Sequence, residues 1–343
     1  MEVEVVIIII NHNSCDDTNS CLESLLLNNT TGVKIYVVDN STNSTSSIKI
    51  QYWLNNYKGS SSILNYNIYS EADFLKLTGK DNSLLSLIIA ENKGFGAANN
   101  IVFKNYIRLA EGNTWFWLLN NDTRIPSNFI EKTRKIISDK QLFFKKVGMI
   151  GHRLVDYNNP SSVQVDYGLF NRKTFRTSNH IENPASNNNF LIPDNAYIIG
   201  ASMFISIEFI KDVGMLCEGN FLYFEEIDIT LRGKRKGWSF LYTPTLTIEH
   251  KGFNDRNRII NNDLLRDVCL TINRFRTSFR YLPENHLIAY FIYVLAITAR
   301  ILQGRFTNAK ILMIFIIFCK KASEGSIIKF LKNTNLIKET DKQ

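Results

Sequence analysis

The first stretch of the chain, Val3 to Ile10, is an almost unbroken run of β-branched residues, which predicts a strand covered on both faces. Asp16 and Asp17 offer N-caps to a helix from about Thr18 to Leu27, where Leu22, Leu25 and Leu26 recur at helical spacing. Lys34 to Val38 reads as a second strand that ends on Asp39 and runs into a polar loop, Asn40 to Ser47. A strand, a helix and a strand in this order predict a βαβ unit and therefore a parallel sheet. The pattern continues with a strand over Leu84 to Ala90, a helix over Gly96 to Ala110, and a strand over Thr114 to Leu119 that ends at Asn120-Asn121-Asp122.

Periodicity is lost between Arg153 and Pro193, which predicts an insertion of short strands with a mobile loop around the SNNN of Ser186 to Asn189. It returns with a strand over Tyr197 to Ile205, a helix over Ile207 to Val213 and the stretch FLYFEEIDITLRGKRKGW, Phe221 to Trp238. That stretch reads as a helix with acids in its first turn, basic side chains in its last, and Gly237 as C-cap. A short strand, Leu246 to Ile248, precedes His250; beyond it lie helices with arginine on one face and apolar residues on the other. A boundary is expected near residue 255, with an α/β domain over 1–255 and a helical region over 256–343.

Of 343 residues, 45% are hydrophobic and 21% charged, with 6 prolines and 17 glycines, which excludes disordered and collagen-like chains. The net charge of +8 is unevenly placed. Residues 251–343 hold 16 Lys+Arg and 7 Asp+Glu, net +9, leaving 24 and 25, net −1, for residues 1–250. A nucleic-acid-binding body would need its own basic face and a recognisable motif. The five cysteines, Cys15, Cys21, Cys217, Cys269 and Cys319, show neither a C-x-x-C pair nor zinc spacing, so neither disulfides nor a structural zinc site are expected. The acidic start predicts no signal peptide, and no apolar run reaches the roughly 20 residues of a membrane span.

Ligands of parallel α/β sheets bind at the carboxyl ends of strands. Three polar clusters fall there: Asn11-His12-Asn13, Asp39-Asn40 and Asn120-Asn121-Asp122. Asp39 can accept from a ribose hydroxyl or a base N–H, or it can cap a turn. Glu91-Asn92-Lys93-Gly94-Phe95-Gly96 opens a helix, and its glycines allow close backbone approach to a ligand. In Tyr223 to Asp228, Glu225 and Asp228 share a helix face while Glu226 points elsewhere. Such acids either raise one another's pKa, as a general base requires, or serve the helix dipole.

Together IIIINHNS, VVDNS, ENKGFGAANN, WFWLLNND, IIGASMFIS, FLYFEEIDITLRGKRKGW and TIEHKG, in this order over residues 3 to 280, resemble the family 2 glycosyltransferases of GT-A fold, and most closely the bacterial rhamnosyltransferase-like branch. The resemblance implies a Rossmann-like, mostly parallel sheet flanked by helices, with a C-terminal helical extension. It places Asn11, His12 and Asp39 at the nucleobase, His12 standing where a tyrosine is usual, and Asn92, Gly94 and Asn99 along the nucleotide-sugar cleft. Asn120 and Asn121 complete the cleft beside Asp122, which, with His250, would meet Mg²⁺ or Mn²⁺. Glu226 takes the place of the catalytic base, with Glu225, Asp228 and Arg232 as accessory residues; Arg232 serves either the diphosphate or a surface ion pair. The implied activity is inverting transfer of a sugar, rhamnose first among the candidates, from a dTDP- or UDP-linked donor to a lipid-linked glycan in O-antigen or capsule synthesis. The implied location is the cytoplasmic face of the cell membrane. The basic tail, with Arg274, Arg276 and Arg280, then reads as an amphipathic attachment to anionic lipid, or alternatively as a lid or homodimer contact. A nucleotidyltransferase is the rival enzyme class and would need a basic, glycine-rich loop after the first strand.

Overall fold

The computed structural model describes residues 3–57, 64–109, 113–139, 146–182, 188–252, 256–282, 284, 286–318 and 327–337. The first strand, β1 (Glu4–Asn11), lies between β2 (Val33–Asp39) and a strand at Thr114–Asn120, parallel to both. Val5, Ile7 and Ile9 point into one core with Leu22, Leu25 and Ile50, whereas Val6 and Ile8 point into another with Ile101, Val102 and Phe103. Alternate residues of one strand thus fill two hydrophobic layers, which is why β1 carries no polar face.

Helix α1 (Cys15–Leu26) starts earlier than expected, with Ser14 at its N-cap and Asp16 and Asp17 inside the first turn, where the dipole favours acids. The serine-rich stretch after β2 turns out to be a loop only as far as Asn43. The Asn43 side chain accepts from the Thr45 amide at 3.1 Å and starts α2 (Ser44–Asn56), which buries Ser46, Ser47, Ile50 and Leu54. Next come β3 (Tyr66–Ser70), α3 (Glu71–Lys76), β4 (Leu85–Ile89), α4 (Phe95–Leu109), β5 (Thr114–Asn120), β6 (Thr123–Arg124) and α5 (Phe129–Ile137).

The expected insertion begins with a long strand, β7 (Val147–Asp156), and continues as β8 (Val163–Val165), β9 (Tyr167–Phe170), β10 (Thr177–His180) and β11 (Phe190–Leu191). The single strand expected over Tyr197 to Ile205 is two, β12 (Ala196–Tyr197) and β13 (Ser202–Ser206), with Gly200 in the turn between them. Then follow α6 (Ile207–Val213), α7 (Glu225–Arg235) and β14 (Ser239–His250). The main sheet has the order β11-β14-β7-β13-β5-β1-β2-β4-β3, with β6 against β14 and β8 against β7. Antiparallel β13 separates the parallel pair β7/β14 from the parallel block β5-β1-β2-β4-β3. Strands β10-β9-β12 form a separate small sheet.

The tail is helical: α8 (Arg256–Tyr281), α9 (His286–Leu302), α10 (Phe306–Phe318) and α11 (Ile328–Asn333). It shares a core with the α/β body, for Phe221 packs with Val268, Ile272, Phe275, Leu312 and Leu331. Here the expected outward-facing arginines are corrected. Arg276 is 2% exposed and donates to the Gly219 carbonyl at 2.7 Å, and Arg280 pairs with Asp228 at 2.7 Å. Arg300 pairs with Asp267. No helix among the described residues is long and apolar enough to cross a membrane. Cys15, Cys21, Cys217 and Cys269 are free thiols. The boundary near 255, Cys319, Ala110, and Ser186 and Asn187 of the insertion lie outside the described residues.

Trp117 anchors the centre of the sheet, stacked between Phe129 at 5.1 Å and Phe204 at 4.7 Å, with its indole N–H donated to Ser202. Trp117→Ala is expected to lower unfolding free energy by about 3–5 kcal/mol in urea denaturation, because the cavity cannot close around two rings already stacked. Leu27→Ala, at an exposed position, should change it by less than about 0.5 kcal/mol.

Candidate active site

Parallel pairing sets Asn11 opposite Asp39, Ile10 opposite Asn120, and Asp39 opposite Ile89, so the ends of β1, β2, β4 and β5 form one rim. The rim is sewn together through Asn11, which is fully buried. Its amide donates to Asp39 Oδ1 at 2.7 Å, Ser46 Oγ at 2.8 Å and Ser41 Oγ at 3.2 Å, while its oxygen accepts from Thr18 Oγ1 at 2.8 Å. Thr18 in turn accepts from Asn121 Nδ2 at 2.9 Å. Asn11 and Asn121 therefore stand behind the rim and orient it. Asp39 is 2% exposed, with Oδ1 also accepting from the amide and hydroxyl of Ser41. His12 is exposed, its Nδ1 3.0 Å from the Asn40 carbonyl, which leaves a ring face open to solvent.

Asp122 and His250 are brought together where β6 pairs with β14, His250 Nε2 lying 3.4 Å from Asp122 Oδ1. The Lys251 amide donates to the Asp122 carbonyl at 3.0 Å and closes the corner. Gln164, from β8 of the insertion, settles the tautomer. Its Nε2 donates to the His250 carbonyl at 2.7 Å, so its Oε1 is what faces His250 Nδ1 at 3.0 Å, and Nδ1 must carry the proton. Nε2 is then the ring nitrogen that faces a carboxylate oxygen, and it is the one that can offer a lone pair to a cation. Two electron-pair donors converging in this way fit a divalent cation that takes its remaining ligands from phosphate and water. Among the described residues no group of three or more His, Cys, Asp or Glu side chains is placed to hold a metal unaided.

Between β4 and α4, Asn92 Oδ1 accepts from the Gly94 amide at 3.1 Å and lies 3.4 Å from Asn40 Nδ2. The glycines of this loop approach the protein itself. A Cβ on Gly94, whose φ is +93°, would sit 2.1 Å from the Phe221 carbonyl oxygen, and one on Gly96 would sit 2.7 Å from that of Cys217. Asn99 is 1% exposed and donates to Phe95, and its Oδ1, like that of Asn40, is buried without a partner among the described residues. The neighbouring Asn100, missed in the sequence, clamps Leu216 from both sides, donating to its carbonyl and accepting from its amide.

The acid cluster divides into two groups. Asp228 is 2% exposed and accepts from Arg232, Arg280 and Tyr281. Arg232 thus makes the i,i+4 ion pair with Asp228 along α7 at 2.9 Å and spends its remaining donors on the carbonyls of Val213, Gly214 and Met215. Glu225 and Glu226 form the other group. Glu226 is half-buried and reaches the turn before β13, where a Cβ on Gly200 would sit 2.3 Å from its Oε1. Burial raises its carboxyl above the ordinary range, opposed by backbone N–H groups of Glu226 and Gly200. The next residue, Ala201, accepts from the Asn120 amide at 2.9 Å, so Glu226 is tied to the same rim. Burial, and then the charges of Glu226 and Asp228, hold Glu225 well above the carboxylate range.

Glu225 keeps its proton when folded at a pH where the unfolded chain has released it. The folded state then binds more protons, and stability falls as pH rises above the ordinary value of 4.5. Glu225→Gln is expected to raise the melting temperature most at pH 8, with the gain shrinking as the scan approaches pH 4.5.

No family model matches the chain, and no curated protein matches it in sequence. Among solved structures it is similar to the mannosyltransferase PcManGT from Pyrobaculum calidifontis, solved with GDP-Man and Mn²⁺, at a TM-score of 0.50 and 14% identity over 98% of this chain and 87% of that one. A second similar structure is TarS 1-349 of S. aureus in complex with UDP-GlcNAc, at a TM-score of 0.43 and 13% identity over 81% of this chain and 71% of that one. The fold is thus the GT-A type of α/β architecture, extended by C-terminal helices.

Proposed function

We propose that the chain is an inverting, metal-dependent glycosyltransferase of family 2 that moves a sugar from a dTDP- or UDP-linked donor to a lipid-linked glycan, with rhamnose the first donor sugar to test. The observation that carries this reading is Glu226, a carboxylate of raised pKa held by the Gly200 turn on the rim that also bears Asp39 and Asp122. A nucleotide-sugar donor, GDP-Man, is bound by the similar mannosyltransferase.

In this reading Asp39 accepts from the base, and the free oxygens of Asn40 and Asn99 accept from ribose or sugar hydroxyls. Asp122 and His250 would hold Mg²⁺ or Mn²⁺, which when bound supplies positive charge against the departing diphosphate. Glu225 keeps the proton of the adjacent pair, leaving Glu226 as its ionised member. Glu226 removes the proton from the acceptor hydroxyl as that oxygen bonds to the anomeric carbon and the sugar–phosphate bond breaks. A single displacement inverts the configuration. Glu226→Gln is expected to lower kcat by about 10²- to 10⁴-fold, while a donor nucleotide with Mn²⁺ still raises the melting temperature. Asp122→Asn should abolish the Mn²⁺-dependent part of that rise. Full transfer by Glu226→Gln, measured with a panel of nucleotide sugars, would exclude the assignment.

Attachment to the inner membrane face belongs to the same reading and is carried by α9 and α10 in place of the three arginines. Ten of the 17 exposed large apolar side chains among the described residues lie between Leu287 and Met313, including Leu287 at 86%, Leu302 at 82% and Phe306 at 65% exposure. Residues 286–323 hold Arg300, Arg305, Lys310, Lys320 and Lys321 and no acid, a charge balance suited to anionic headgroups. A Leu287→Ser/Phe291→Ser/Leu302→Ser variant is expected to stop co-sedimenting with phosphatidylglycerol vesicles. Co-sedimentation equal to that of the parent would show that this face does not meet lipid.

A further inference from the structure

The turn that delivers Glu225 and Glu226 is strained. Phe221, Tyr223 and Phe224, none of them glycine, have φ of 65°, 70° and 74°, a left-handed region that large side chains rarely occupy. Such a run persists only when its surroundings over-determine it, and here they belong to α8, some fifty residues further along the chain. Asn273 is fully buried, and its Nδ2 donates to three carbonyls of the turn: Leu222 at 2.8 Å, Asn220 at 2.9 Å and Tyr223 at 3.2 Å. One turn later, Arg276 donates to the Gly219 carbonyl at 2.7 Å. Tail side chains close over Phe221 from its other side, and the Ile327 amide also donates to Gly219.

The strained turn leads directly into the first helical turn of α7, whose Asp228 amide bonds to the Phe224 carbonyl at 2.9 Å. The direction in which Glu226 leaves the backbone, toward Gly200, therefore follows from the φ values that Asn273 holds in place.

We infer that Asn273 is a positioning residue for Glu226, acting through the backbone of residues 220–224, so that a tail helix sets the geometry of the proposed base. The inference rests on the reading of Glu226 as that base. It does not require Asn273 to touch substrate.

Asn273→Ala and the near-isosteric Asn273→Asp, which offers the three carbonyls no amide proton, are tested beside Glu226→Gln in the full-length chain with a nucleotide-sugar donor. With the turn released, Glu226 swings out of its half-buried place. Turnover should fall about tenfold to a hundredfold, as expected for a misplaced catalytic group. KM for the donor should stay within about twofold of the parent, since the donor-binding rim is untouched. The acidic limb of the kcat profile should move to lower pH, because a carboxyl freed from burial loses the cause of its raised pKa. A purely structural role would lower stability without moving that limb. Should neither variant fold, Asn273→Ser, which keeps one short donor, and Arg276→Lys are read in their place, with smaller changes in the same directions expected. Unchanged kcat and an unmoved limb in a folded variant, with Glu226→Gln inactive, overturn the inference alone. An active Glu226→Gln overturns the reading of the base and the inference with it.

Discussion

Everything on the candidate rim hangs on the carboxamide of Asn11. A side-chain amide presents donors on one side and an acceptor on the other, and here both are saturated inside the protein: Asp39, Ser41 and Ser46 on the β2 side, Thr18 on the α1 side. No carboxylate or hydroxyl of similar size could make that set, because a carboxylate has no proton to give Asp39 and a hydroxyl has only one. The consequence runs along the sheet. Asp39 is fixed against β1, Thr18 passes the constraint to Asn121, and the loop bearing Asp122 is held by α1 as well as by β14. The strands supply register and Asn11 converts it into side-chain order.

The tail shows how a charge total differs from a charged surface. Sixteen basic side chains beyond residue 250 suggested a face turned toward polyanions. In the fold, Arg280 neutralises Asp228, Arg300 and Arg305 meet at Asp267, and Arg276 is spent on a backbone carbonyl. Among the described residues, α9 and α10 turn outward a mainly aliphatic and aromatic face, with Lys310 exposed beside it. On the proposed reading, attachment would draw on this apolar area as well as on Coulomb attraction, and only the second part would be screened by salt.

The scaffold was legible wherever a local rule decides. The β-branched runs gave β1 and β2, and an aromatic and leucine run gave β5, because a strand buried on both faces has no room for polar residues. Helix α2 was not legible. Its Ser46 and Ser47 are buried, Ser46 accepting from Asn11 of β1, and local propensity carries no record of such tertiary contacts. At the site, motif order brought Asp39, Asp122, Glu226 and His250 to notice, and the fold sets them on one rim and its adjoining corner. What Asp228 and Arg232 bind was not legible, since helical spacing shows which side chains share a face but not what stands opposite that face. Gln164 and Asn273 left no trace, because each matters through a partner between 50 and 86 residues away.

The reach of Asn273 also bears on the order in which the molecule becomes itself. A ribosome releases the chain from the N-terminus, so the sheet through β5, with Asn11, Asp39 and Asp122, can assemble while residue 273 is still unmade. At that stage the turn before Glu225 lacks the α8 side chains that hold its left-handed residues. Only when α8 has emerged and docked can Asn273 and Arg276 make their contacts with that turn. On the proposed reading, a nascent chain would acquire the rim of its cleft before its base is positioned, with α8 as the step that completes it.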